Sequence, residues 1–392
     1  MNSIAPPRSS DPASAVRGEH SNSLDALRLI LAGSVVLSHS YALAAGASEA
    51  DEPLAWASGR RIDLGEAAVD GFFILSGFLI AQSWGRSRSP WTFARKRVAR
   101  IYPGYLVAAT ISVLVAILVG TPGGTWSLAW QSVLNHAGQI VALRRLIVPG
   151  SWPASNRPEM ANGSTWTISY ECFCYAGVAA LGLVGLLRNR AAMLGLYLAA
   201  VLAGYLYLLS EVPFGGGTLG RIFGTPDQWA RLLPCYLGGV LLYLYGDRVR
   251  WSWPWACLAL GGLVALARLP HGLMLGVPTL GAYLALYCGF AGPLRWHGAA
   301  RYGDFSYGIY LYAWPIQQAI VRFDPKIGPV RLFAEAGALC LVAGVISWYA
   351  VERNFLPRPA ADRLRPPRAP GPRPDGGGDP TTARPSGTPD PA

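Results

Sequence analysis

Charge is scarce in this chain. Only 14% of its 392 residues are Asp, Glu, Lys or Arg, where a soluble globular domain carries about one quarter, so an ordinary water-soluble globule is excluded. Lysine is almost missing: Lys96 and Lys326 are the only two, and the net charge of +11 is carried by arginine. Cysteine is sparse as well. Cys172, Cys174, Cys235, Cys257, Cys288 and Cys340 all fall in apolar stretches, with no CxxC and no Cys/His cluster of metal-ligand spacing. That pattern excludes a zinc site and a disulfide framework, and no metal ligand is assigned. No internal repeat is visible, which argues against inverted-repeat transporter folds. The first 22 residues lack the apolar core of a cleavable signal. What the chain has instead is apolar and aromatic surface: 52% hydrophobic residues, fourteen Trp and eighteen Tyr, the composition of a protein with two membrane interfaces to line. It reads as an all-α polytopic membrane protein.

Residues 1–22, rich in Ser, Pro and Ala, are expected to be disordered, as is a Pro/Gly/Arg-rich tail at 352–392. Between them, 23–351 forms the membrane domain. About ten helices are expected, at 24–45, 66–84, 104–120, 166–187, 191–210, 229–246, 251–268, 270–290, 305–321 and 330–351. Pro270 and His271 leave two of these joined either as a tight hairpin or as one broken element. The 85–103 connection carries Arg86, Arg88, Arg95, Lys96, Arg97 and Arg100 with no acid, whereas 46–65 holds Glu49, Asp51, Glu52 and Asp63 against Arg60 and Arg61. By the positive-inside rule this gives an N-in, C-in orientation, with 121–165 as the largest outer feature. The basic excess therefore reads as a topology signal, and no nucleic-acid partner is expected.

The first apolar segment, LDALRLILAGSVVLSHSYALAA, carries Asp25, Arg28 and His39. Arg28 and His39 are eleven residues apart, within about 20° of one helix face and separated by roughly 16 Å along the axis. Ionisable groups inside a membrane helix face a protein interior or a wet cavity and mark function by default; the bland reading makes Asp25 and Arg28 interface residues and lets His39 snorkel. In the expected topology His39, Asp70 and Glu171 stand at one level near the outer face. A carboxylate would fix the tautomer of His39 as a general base; equally, Asp70 and Glu171 would serve as helix ties. Toward the inner face, Arg97 and Arg100 in RKRVARIYP are i, i+3 and match phosphate geometry, with Arg28 opening to the same side. An anionic-lipid contact explains them as well. GFFILSGFLI packs Gly71, Ser76 and Gly77 for close helix contact. In DFSYGIYLYAWPIQQ, the residues Ser306, Tyr307, Tyr310, Tyr312, Gln317 and Gln318 are candidates to line a cavity.

Five ordered pieces, LDALRLILAGSVVLSHS, VDGFFILSGFLI, RKRVARIYP, STWTISYECFCY and DFSYGIYLYAWPI, together resemble the acyltransferase-3 family of integral membrane O-acyltransferases. The resemblance covers residues 24 to about 351. It implies a catalytic His at His39, its companion at Arg28, the family's arginine pair at Arg97 and Arg100, and its fourth-span carboxylate at Glu171. Many members carry a His before the late aromatic-Pro, where this chain has Ala313; a subgroup or another acceptor is the expected meaning. No fused hydrolase-like extracytoplasmic domain is expected. The implied reaction moves an acyl group, usually acetyl, from cytoplasmic acyl-CoA to a hydroxyl of a carbohydrate or glycolipid acceptor at a bacterial inner membrane. The donor is a substrate; no permanently bound cofactor is implied.

On this reading Arg97, Arg100 and Arg28 hold the CoA phosphates. His39, oriented by Asp70 or Glu171, removes the acceptor proton, and Ser76, Tyr307 and Tyr310 line the substrate path. An acyl-enzyme on His39, Ser38 or Ser76 is the variant mechanism. Two competing functions use the same residues: a transporter or flippase of a glycolipid or acylated product, with the buried charges as its path, and a non-catalytic membrane scaffold.

Overall fold

A computed structural model describes residues 23–210, 220, 223–291 and 301–356. The expected disordered segments lie outside these, except that the chain stays helical through Phe355, four residues past the expected end of the membrane domain.

The helices follow from long apolar runs started by local caps. α1 is Leu24–Leu43. A short α2, Pro53–Ala57, begins at Glu52, whose side chain accepts from the amide of Leu54. α3, Leu64–Gly85, begins at Asp63, whose carboxylate accepts from the amide of Glu66 at 2.7 Å, satisfying a donor that a helix start leaves free. α4, Pro90–Val115, is capped by Ser89 through the amide of Thr92, and a π-helical turn carries it to Gly120. It starts well before the expected 104. The RKRVARIYP run is therefore helical, on the same rod as the apolar part, with Pro103 tolerated inside it.

Residues 121–165 form α5, Trp126–Val141, and a two-stranded antiparallel ribbon, β1 Leu146–Ile147 with β2 Met160–Asn162. Then come α6 Trp166–Leu183, α7 Arg190–Leu209, α8 Pro226–Leu244 and α9 Trp253–Leu266. His271, at φ 55°, turns the chain back into α10 Gly272–Gly276, which continues through a π-helical turn into α11 Ala282–Phe290. α9 packs on α10 and α11, so the tight hairpin is the form adopted. α12 Ser306–Phe323, α13 Pro329–Ser347, a π-helical turn and α14 Arg353–Phe355 follow.

Among the described residues, six helical stretches are long and apolar enough to cross a membrane: Leu24–Leu43, Leu64–Gly85, Pro90–Gly120, Arg190–Leu209, Gly272–Phe290 and Pro329–Phe355. The protein is a multi-pass integral membrane protein. α6, α8, α9 and α12 coincide with the four remaining expected segments but are shorter or more polar: Glu171 lies in α6, Asp227 and Arg231 in α8, and Gln317, Gln318 and Arg322 in α12.

The centre is the pair α3 and α8, in contact along their length. A Cβ at Gly77 would strike the carbonyl oxygen of Tyr236, and one at Gly239 would strike that of Ile74. Reciprocal glycines thus bring the two backbones together, the usual way helices gain contact where lipid offers no hydrophobic drive. α1 packs on α3, α12 and α13. α7 turns Leu194, Leu198, Leu202 and Leu206 outward, as a lipid-facing helix does.

Candidate active site

α1 carries Arg28 and His39 toward its opposite ends, and each end has its own polar network. Near the C-terminal end, the His39 ring meets the indole of Trp314 edge-on, with centroids 4.8 Å apart and planes at 83°. Its Nδ1 is buried without a hydrogen bond, while the residue keeps partial exposure. The helix around it is clamped. Gln317, fully buried, donates from Nε2 to the carbonyl of Val36 at 2.8 Å and to Ser40 Oγ at 2.6 Å, and Ser40 Oγ donates back to Val36 at 2.9 Å. Ser38 Oγ donates to Asp63 Oδ1 at 3.3 Å. The turn that presents His39 is thereby fixed from α12 on one side and from the start of α3 on the other.

The expected His–carboxylate pair does not form: among the described residues no hydrogen bond or ion pair joins His39 to Asp70 or Glu171. Asp70 faces α8, where Arg231 Nε lies 3.5 Å from its Oδ1. Glu171 accepts from Ser76 Oγ at 3.1 Å and from the hydroxyl of Tyr175. Ser76 is six residues beyond Asp70, roughly 9 Å along α3, so the two carboxylates do not share a level. Ser76, expected to contact substrate, is engaged by Glu171.

At the other end of α1, Arg28 Nη1 pairs with Asp304 Oδ2 at 3.1 Å, and Arg100 Nη2 meets the same oxygen at 2.5 Å. Arg100 Nη1 also lies 3.5 Å from Glu352 Oε2. Asp304 accepts from the amide and hydroxyl of Ser306 at 3.2 and 2.5 Å. Burial by itself would raise the Asp304 carboxyl, but Arg100, then Arg28, then the Ser306 hydrogen bonds outweigh it and hold the group at about 2. One carboxylate thus ties α1, α4 and the entry to α12. The i, i+3 arginines diverge. Arg97 donates to Ser83 Oγ at 3.3 Å and lies 5.9 Å from the ring centres of both Phe93 and Tyr175. Among the described residues it has no carboxylate within salt-bridge distance, and its Nε has no partner.

Tyr307 donates to the carbonyl of Ile101 at 2.9 Å beneath the Arg100 guanidinium, 5.4 Å from its ring centre. Tyr310 donates to the carbonyl of Ser164 at 2.6 Å and contacts Thr167 Oγ1 at 2.6 Å. Both phenols, expected along a substrate path, are engaged in tying α12 to its neighbours. Asn162 does the same for β2, donating to Ser112 Oγ at 3.0 Å and to the carbonyl of Leu311 at 2.9 Å. Asp304, Glu352, Arg231 and Trp314 were not singled out from sequence. The signal for three of them was their charge inside or beside apolar helices; for Trp314 there was none beyond its place in the late segment.

The chain was compared with known proteins. A family model described as an acyltransferase domain, that of the acyltransferase-3 family, matches residues 21–352. The chain belongs to this family. It is a membrane O-acyltransferase. The acyltransferase is 28% identical over 356 residues to the O-acetyl transferase of Shigella phage Sf6, covering 86% of this chain and 97% of the relative. It is 28% identical over 330 residues to the exopolysaccharide production protein ExoZ of Rhizobium meliloti (strain 1021), covering 78% and 94%. Nodulation protein 10 of Rhizobium leguminosarum bv. viciae is 23% identical over 363 residues, covering 88% and 96%. No solved structure matches the acyltransferase.

Proposed function

We propose that the protein transfers an acyl group, acetyl in the first instance, from acyl-CoA to a hydroxyl of a cell-surface or exported polysaccharide or its glycolipid precursor, with His39 as general base. The observation that carries the reading is the full-length similarity to an O-acetyl transferase and an exopolysaccharide production protein, taken with a single helix that carries His39 toward one end of the bundle and Arg28 toward the other. The His39 ring nitrogen Nδ1, left without a hydrogen bond, in a residue that keeps partial exposure, supports its role.

The step follows from ordinary acyl-transfer chemistry. Neutral His39 accepts the proton of the acceptor hydroxyl as its oxygen bonds to the thioester carbonyl carbon; the C–S bond then breaks, and the CoA thiolate leaves with the proton returned by the imidazole. Among the described residues no carboxylate contacts the ring, so its orientation rests on Trp314 and on the Gln317 and Asp63 clamps of α1. That is a reason to favour direct transfer, in which the imidazolium lives only until the thiolate takes the proton. Glu171, held by Ser76 and Tyr175, supports the fold around this path, and Asp70 takes no part in the step.

The arginines take different parts. Arg28 and Arg100 are neutralised by Asp304, Glu352 and Asp25, the last 3.9 Å from Arg28, so they hold α1 and α12 in place and meet phosphate only by displacing a carboxylate. Arg97, free of such a partner, is the first contact for the donor's phosphates. We place this end at the cytoplasm by the positive-inside rule, with all ten helices spanning a bacterial plasma membrane, both termini inside, and the His39 end toward the acceptor. The test is CoA release by purified protein supplied with acetyl-CoA and a glycan, with and without His39→Ala. No release by wild type, or equal release by the variant, overturns the proposal.

A further inference from the structure

A cavity of about 440 Å³ lies beside α3, α8 and α10, within the rough 300–1,000 Å³ range of small-molecule sites. The mechanism above does not use it. Glu66 and Asp70 from α3 and Arg231 from α8 enter it, and Leu273, Met274 and Val277 form apolar wall. The three charges are close: Arg231 Nη1 is 3.1 Å from Glu66 Oε1, and Arg231 Nε is 3.5 Å from Asp70 Oδ1. Yet neither of those guanidinium nitrogens makes a hydrogen bond, and neither does Asp70 Oδ1, although Asp70 is only 2% exposed.

Buried charges ordinarily saturate their hydrogen-bonding capacity, because an unmet donor or acceptor in a low-dielectric site bears its full desolvation cost. Asp70 and Arg231, the residues that carry these unmet groups, line the same cavity. The group that satisfies both at once is a hydroxyl, which donates to the carboxylate while accepting from the guanidinium. Arg61 also lines the cavity, so two guanidinium groups balance two carboxylates; a lone anion would face Glu66 and Asp70, and a lone cation would face Arg61 and Arg231. A neutral polyol meets neither penalty, and its C–H faces suit Leu273, Met274 and Val277. The position fits as well. Glu66 stands three residues, roughly 5 Å of helix rise, beyond Asp63, whose carboxylate holds the Ser38 hydroxyl next to His39.

We propose that this cavity is a binding subsite for a neutral carbohydrate, gripped by Asp70, Glu66 and Arg231. The inference deepens the acyl-transfer reading and rests on it for the choice of sugars among polyols. It is tested by saturation-transfer NMR on the full chain in detergent, with methyl α-glucoside, methyl α-galactoside and methyl α-rhamnoside as probes. Wild type is expected to bind at least one of them. Arg231→Met, which keeps the apolar stem but removes every donor, and Leu273→Trp, which fills the cavity away from the charges, are each expected to weaken that binding by about tenfold or more, the worth of a hydrogen bond to a charged group. Thermal unfolding of each variant identifies any that fails to fold, and the other then carries the test. No binding of any probe by wild type, or equal binding by a folded variant, overturns the proposal. CoA release from acetyl-CoA with the same glycosides separates the two readings. Release without cavity-dependent binding removes the subsite alone; cavity-dependent binding without release removes the transferase reading and leaves the subsite standing.

Discussion

His39 and Asp304 are the two side chains on which the polar interior turns. His39 has an apolar neighbour, Trp314, and a buried nitrogen without a partner; as the proposed general base it is expected to account for at least about a hundredfold of the rate, so His39→Ala is expected to lower glycan-dependent CoA release by that factor or more in a thiol-release assay. Asp304 does the opposite work, holding two guanidinium groups. Its carboxyl is depressed to about 2, below the roughly 3.9 of an unfolded Asp. The stability it contributes is therefore complete above about pH 4 and is lost as pH falls toward 2. Asp304→Asn is expected to lower the melting temperature at pH 7, because it leaves Arg28 and Arg100 without their shared anion, and to flatten the loss of stability between pH 4 and 2 seen in wild type. Arg97→Gln is expected to raise KM for acetyl-CoA several-fold while kcat holds, measured by varying the donor at fixed acceptor. A matching loss of kcat with unchanged KM would return Arg97 to a structural role.

Helix-to-helix contact decides where those residues meet. α3 lies against α8 because Gly77 and Gly239 leave room for the facing carbonyls of Tyr236 and Ile74. Gly77→Ala is expected to force the pair apart and lower the melting temperature sharply. Gly33→Ala, on a part of α1 where a Cβ meets nothing within 4 Å, is expected to be neutral or stabilising by up to about 1 kcal/mol through helix propensity. Both are read by thermal unfolding in one detergent. The α1–α12 contact is polar instead, through Gln317. The late aromatic segment was legible as an interior helix, but nothing in its spacing shows that Gln317 rather than a tyrosine reaches α1. Rotational setting about a helix axis depends on the partner helix, and a single sequence does not contain it.

For the whole molecule, the arginine-rich 85–103 connection is expected to face the cytoplasm. Single cysteines at Arg88 and at Ser58, introduced into a chain whose exposed Cys257 is replaced, are expected to react with an impermeant maleimide from opposite sides of an intact cell. Reaction of both from one side would overturn the orientation. Among the described residues, the helices begin and end within a few residues of the expected segments at most ends, since apolar length is set by composition. The early start of α4 at Pro90 was missed because the cationic run at 95–100 reads as a connection until Ser89 and Pro90 are recognised as a helix start.

Composition alone determined that this chain lives in a membrane, and ordered short motifs determined its family. These are properties of what the residues are. Which charge meets which was decided only by the tertiary structure. Equal topological depth suggested that Asp70 and Glu171 attend His39; instead Asp70 faces Arg231, Glu171 faces Ser76 and Tyr175, and Asp304 holds Arg28 and Arg100. The physical reason is that a buried carboxylate is stabilised most by a guanidinium or hydroxyl within reach, and reach is set by how neighbouring helices are rotated and how closely their glycines let them approach.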